Sequence, residues 1–151
     1  MAVKALLIDE SEFIDFNLYG IATAFSDSAQ FIYNLNKNFQ TRFERVKDLD
    51  VLIENQMAYY PMYEWEDLER RVCYHIVKNS AYILSPSQNI SNLASLFDVV
   101  PALIPQHKEY NYFLRVFPDD ADMLPISENS FIQKITLLEP AKIKSIDRLV
   151  F

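Results

Sequence analysis

Cys73 and His75 come nearest to chemistry in type and spacing. They stand two apart in Arg70–Lys78, where Val72, Tyr74 and Ile76 alternate with them, so both side chains share one face of a strand. His107 could join them from a polar run further on. A thiolate and imidazoles are zinc-type ligands, but metal sites want three or four ligands, and no CxxC or HxxxH spacing accompanies these. Neighbouring strand positions do not by themselves put a general base on sulfur either. Ordinary packing of a small thiol and a strand histidine is therefore the favoured reading, and no catalytic, cofactor or metal residue is assigned.

Two acidic groups invite the same comparison. Glu64, Glu66, Asp67 and Glu69 surround Trp65, and paired carboxylates beside an aromatic ring suit a glycosidase cleft. A solvated strand end and turn is the favoured reading. Asp119, Asp120 and Asp122 lack the ligand spacing, the glycine and the closing glutamate of a calcium loop, and read as a turn.

The aromatic cluster Tyr59, Tyr60, Met62, Tyr63 and Trp65 is the candidate interaction surface. Alternation places Tyr59, Pro61, Tyr63 and Trp65 on one face and Tyr60 and Met62 on the other. One face belongs to the core; the other, if exposed, resembles an interface patch. A sheet edge there could also pair with a second copy of the chain.

Composition narrows the classes. Of 151 residues half are hydrophobic, enough for the core of one domain, residues 1–151. The net charge of −7 disfavours binding to phosphate backbones. A single cysteine rules out an intrachain disulfide and suits a reducing compartment. The apolar run near the amino terminus is too short for a signal sequence, and no run approaches a membrane span, so the expectation is a cytoplasmic chain. Gly20 is the one glycine. Phosphate-cradling loops need several, so the P-loop and the dinucleotide fingerprint are excluded.

The elements that must position these residues follow from periodicity. Residues 13–25 alternate as a half-buried strand, with Gly20 marking a bulge or a close approach of another backbone. Asp27 caps a helix over about 28–40, carried by Phe31, Ile32, Leu35 and Phe39. Strands are expected over 48–54, 59–66 (an edge strand, because of Pro61), 70–78, 110–117 and 131–138. Asn79-Ser80 reads as a hairpin turn into 81–84. Ser85, Pro86 and Gln88 start a second helix over 86–97, and 141–146 reads as a short third one. Turns needing positive φ must fall on residues such as Asn55, Asn79, Asn89 and Asn92. The expected class is α+β: a mainly antiparallel, twisted sheet with two or three helices on one face, in a ferredoxin-like arrangement.

Residues 104–112, IPQHKEYNY, resemble the pattern that names the IPExxxVDY family, small bacterial proteins mainly of Bacteroidetes. Ile104, Pro105, the three-residue spacer and Tyr112 match. The entry into Phe113-Leu114, the run Phe16–Gly20 and the closing KIKSIDRLVF are similar too. Gln106, Tyr110 and Asn111 stand where the family has Glu, Val and Asp. The family has no assigned activity, so the resemblance adds no function. Both acids have become amides, which still accept hydrogen bonds but cannot exchange protons near neutral pH. That favours a structural turn: Pro105 begins it, amides and hydroxyls satisfy backbone, and Tyr110 and Tyr112 enter the strand on one face.

Three functions are compatible with these readings. The first is a non-catalytic interaction or scaffold protein, including a homodimer through a sheet edge or the aromatic patch. The second is a small-molecule-binding domain with an aromatic-lined pocket between sheet and helices. The third is a metal- or thiol-dependent enzyme built on Cys73, His75 and His107.

Overall fold

Strand-forming runs dominate the chain, and they find one another in a single sheet. The computed structural model describes residues 14–82, 101–121 and 124–151. Within these lie β1 (Asn17–Thr23), α1 (Ser28–Phe39), β2 (Glu44–Ile53), β3 (Gln56–Asp67), β4 (Val72–Lys78), β5 (Tyr112–Phe117) and β6 (Ile132–Leu138). The sheet order is β2-β3-β4-β5-β1-β6, and every neighbouring pair is antiparallel. The expected α+β class with an antiparallel sheet is what forms.

The ferredoxin-like arrangement is not. Such a unit alternates β-α-β-β-α-β, whereas here β2, β3 and β4 run as a meander and β1 is inserted between β5 and β6. The cause is local. Glu54 and Asn55 both have positive φ (50° and 65°), the backbone a two-residue hairpin turn of type I′ requires. Leu68–Arg71 makes the next turn, with Arg71 at φ 57°. With one glycine available, Gln40, Glu54, Asn55 and Arg71 take the left-handed positions instead. Asn79 is not among them, and Asn89 and Asn92 lie outside the described residues.

The helices also differ from expectation. Among the described residues there is one α-helix; residues 86–97 lie outside them, and the third helix is replaced by 3-10 turns at Pro140–Lys142 and Ile146–Leu149. Helix α1 starts as expected. The Asp27 carboxylate accepts from the backbone N–H of Ala29 (2.9 Å) and Gln30 (3.4 Å), satisfying orphan donors at about 1 kcal/mol of stability. Phe31, Ile32 and Leu35 bury against Ile21, Tyr63, Tyr74, Ile76, Tyr112 and Leu114. The opposite face is covered as well, by Leu103, Ile104, Tyr110, Ile143, Ile146 and Leu149 on Leu18, Tyr60, Val77 and Phe113. Strands such as YFLRVF are apolar on both sides, so covering only one face would strand large hydrophobic area in water.

Pro61 does not mark an edge. β3 is flanked by β2 and β4. The proline sits where the β2 register shifts between Val46 and Leu49, and just beyond the last β4 pair at Met62. Its missing N–H is harmless at that irregularity. The edges are β2 and β6; β2, the one beside β3, is bulged and carries Glu44, Arg45, Lys47, Asp48 and Asp50, which discourages strand addition. Asn79-Ser80 is likewise no hairpin. The chain runs on, Ser80 bridging Ala102 and Tyr82 bridging Tyr59.

Candidate functional site

The 104–112 segment closes one end of the sheet, and Asn79 is what holds it. This asparagine is buried. Its side-chain Nδ2 donates to the carbonyls of His107 (3.0 Å) and Tyr110 (2.9 Å), and its Oδ1 accepts from Ile104 N (3.0 Å). Its own backbone donates to Asn111 O and accepts from Leu103 N, both at 2.8 Å. Pro105–His107 forms a single 3-10 turn on this framework.

The motif side chains then act as clips. Gln106 Oε1 accepts from Lys144 N (2.6 Å) while Nε2 donates to Lys142 O (3.3 Å), tying the turn to the last segment of the chain. Asn111 Oδ1 accepts from Thr23 N (2.8 Å), and its N–H donates to Ile21 O (2.8 Å). Tyr112 is buried and its hydroxyl donates to Phe25 O (3.2 Å); burial pushes that phenol well above the ordinary tyrosine range. A carboxylate at 106 or 111 would keep the two acceptor contacts, and at 106 would have to turn its second oxygen away from Lys142 O, where the amide donates. One detail departs from expectation. Tyr110 packs with Gly20 and Phe113, while Tyr112 packs with Phe31 and α1 on the other face. The chain bends at Asn111, so strand alternation does not extend back to Tyr110.

A half-open cavity of about 240 Å³ opens beside this turn. Phe25 and Tyr110 line it, with Tyr112 fully buried at its wall, and Lys78, Lys108 and Asn111 supply donors. Sequence periodicity could not reveal it, because its walls come from four separate stretches of chain.

The second cluster lies along the same face as Val77 and Phe113. The Leu68–Arg71 turn sets the register so that Glu64 opposes His75, which in turn opposes Arg115. His75 Nε2 lies 3.2 Å from Glu64 Oε2 and 4.0 Å from Cys73 Sγ. These three ligand-type atoms all fall within 4.8 Å of one another. His107 is not with them; its Nδ1 pairs with Glu109 at 3.1 Å. Counting four positions back from the turn would have exposed Glu64, and a lone arginine in YFLRVF would have exposed Arg115.

Proton placement decides what this cluster can do. Arg115 NH1 lies 3.3 Å from His75 Nδ1, and a guanidinium can only donate. Nδ1 is therefore the acceptor, and the hydrogen sits on Nε2, facing Glu64. A metal ion would need a lone pair there instead. Burial, then Arg115, lowers the His75 pKa against the pull of Glu64; burial, then Glu64 and Glu66, raises that of Cys73. A neutral thiol beside a neutral imidazole is the opposite of an activated thiolate–imidazolium pair. Arg115 works as a strut instead. Its Nε donates to Leu149 O (3.0 Å), NH2 to Phe151 O (3.3 Å), and its plane lies 4.5 Å from the rings of both Phe16 and Phe151.

A pH effect follows. The folded-state pKa of His75 lies below the ordinary value of 6.5. As pH falls, the unfolded chain takes up this proton first. Stability is thus full above about 6.5 and is lost as pH falls towards and through the folded pKa. Urea midpoints should decline across that window in the native chain and decline less in His75→Phe. Parallel profiles for the two would overturn the assignment.

The aromatic candidates mostly serve the chain's own core. Tyr60 and Tyr63 are buried, with hydroxyls on Pro101 O (3.0 Å) and Ser28 Oγ (3.0 Å). Trp65 stacks on Tyr74 at 4.8 Å, and Met62 packs half-buried on the opposite face. Tyr59, stacked on the exposed Tyr82 at 5.8 Å, is half-buried like Met62 and Trp65. The expected patch fails at Tyr60 and Tyr63 because β3 is interior and both its faces are covered. No helix among the described residues is long and apolar enough to cross a membrane. No family model, curated protein or solved structure matches the chain, so its function has to be argued from this geometry.

Proposed function

We propose that this chain is a non-catalytic small-molecule-binding domain whose site is the cavity beside the 104–112 turn. The observation that supports this most is the meeting of Phe25 and Tyr110 with several hydrogen-bond donors on a framework fixed at both ends by strands. Concave sites with apolar walls and a few converging polar groups are where ligands bind. The volume suits a small ligand only. We also read the chain as a divergent relative of the IPExxxVDY proteins. In support of this, acids at 106 and 111 would accept the same backbone hydrogen bonds as Gln106 and Asn111 do.

The test is a fragment titration followed in amide correlation spectra, with Ser80→Trp as a plug at an exposed position of the cavity wall. Binding should move the amides of Asn79, Ser80, Asn111 and Tyr112 and vanish in the plugged variant. Fragments that bind elsewhere, or bind Ser80→Trp equally well, would refute the site.

A second reading, a scaffold or homodimer, draws on one observation. Leu52 is 64% exposed and faces Met57, 37% exposed, across the tip of the β2–β3 hairpin. Sedimentation of the native chain beside Leu52→Lys separates this reading from the first.

A further inference from the structure

We propose that the cavity takes a small organic anion, a carboxylate or phosphate on a compact apolar body; this rests on reading the cavity as a binding site. The first ground is charge. Two lysines, Lys78 and Lys108, line it and no carboxylate does among the described residues, in a chain that carries 21 acids against 14 bases. The nearest acids along the chain are committed elsewhere: Asp27 caps α1, and Glu109 faces His107.

The second ground is the balance of donors and acceptors. Among the described residues Lys78 Nζ donates once, to Ser26 O at 2.6 Å, and an ammonium has two further hydrogens to give. With Asn111 Oδ1 held by Thr23 N, its amide NH2 is left as a donor at the exposed rim. Three nearby carbonyls already accept a hydrogen bond each: Ser26 O from Lys78, Phe25 O from Tyr112 and Tyr110 O from Asn79. The free ammonium and amide hydrogens are matched best by a ligand that accepts. Phe25 and Tyr110 line the cavity and give the ligand's apolar body a wall.

The net charge of −7 does not oppose this. Scattered surface charge is screened beyond about 8 Å at physiological salt, whereas charge-assisted contacts act near 3 Å. A neutral ligand would leave two ammonium groups partly desolvated without a counter-charge.

The experiment compares benzoate, phenyl phosphate and neutral benzamide on the full chain by the same amide spectra. Both anions should perturb Asn79, Ser80, Asn111 and Tyr112, and benzamide should bind at least about tenfold more weakly, the scale of one charge-assisted hydrogen bond. Lys108 is exposed, so Lys108→Met should fold normally and weaken both anions by about tenfold, while Lys47→Met on β2 should not. Preference between the two anions tells carboxylate from phosphate as the head group. If benzamide moves the same amides as tightly as benzoate, or Lys108→Met changes nothing, the anion assignment is wrong and the cavity reading survives. If none of the three probes moves those amides at millimolar concentration, both fall.

Discussion

Asn79→Ala should destabilise the chain by about 3–4 kcal/mol, from the roughly 1–3 kcal/mol that each buried backbone group costs when orphaned. The substitution removes the partners of Ile104 N, His107 O and Tyr110 O at once. Two of these bonds are fully buried, and the third is partly so, where water can offset some of the loss. Asn79→Asp sharpens the test. It keeps an acceptor for Ile104 N but turns a carboxylate towards two carbonyl oxygens. At neutral pH it should be at least as damaging as alanine. Relative to the native chain it should recover on acidification, when the carboxyl can donate. Urea denaturation across pH reads both effects. An Asn79→Ala loss below about 1 kcal/mol, the usual worth of one ordinary hydrogen bond, would mean that the turn holds its shape without the asparagine.

The same residue shows where sequence reasoning stopped. Asn79 reads as a turn former because asparagine tolerates turn conformations. What it does depends on partners 25 and more positions away, which periodicity does not encode. Local signals fared better. The Asp27 cap and the spacing of Phe31, Ile32 and Leu35 define α1 almost to the residue. The period of two finds β4, β5 and β6 within two residues at each end.

Long-range signals were lost for physical reasons. Which faces of the sheet are covered depends on what folds over them, so Tyr60 and Tyr63 looked available for an interface yet are core. The Glu64–His75–Arg115 row exists only once the strand register is known. The cavity joins Phe25, Lys78, Lys108 and Tyr112, which no window along the chain would bring together. Gln106 and Asn111 were the exception. Reading them as amides that serve backbone rather than protons needed only their chemistry, and both are so used.

Gly20→Ala is the other substitution with a large expected effect, and its sign has to be argued. In a strand, alanine exceeds glycine by about 0.5–1 kcal/mol because less backbone entropy is lost. Gly20 has no positive φ, so nothing in the backbone opposes the change. The added methyl would, however, meet Tyr110 at 2.5, 2.6 and 2.8 Å from three ring carbons, Cγ among them. Atoms at the root of a ring cannot swing aside alone. Tyr110 is buried, meets Phe113 edge-on at 6.3 Å, and has its carbonyl held by Asn79. Overpacking of this kind costs about 1–3 kcal/mol or more, so the clash outweighs the propensity gain, and a net loss of about 2 kcal/mol is expected. The close approach anticipated at Gly20 is thus made by a side chain, while the bulge lies further on, between Ala22 and Thr23. Removing the ring should reverse the sign: in a Tyr110→Ala background, Gly20→Ala should be neutral or stabilising by up to about 1 kcal/mol. Because Tyr110 also lines the cavity, Gly20→Ala should weaken ligand binding at this site without touching a donor. Equal destabilisation in both backgrounds would show that the strand, rather than the ring above it, demands glycine.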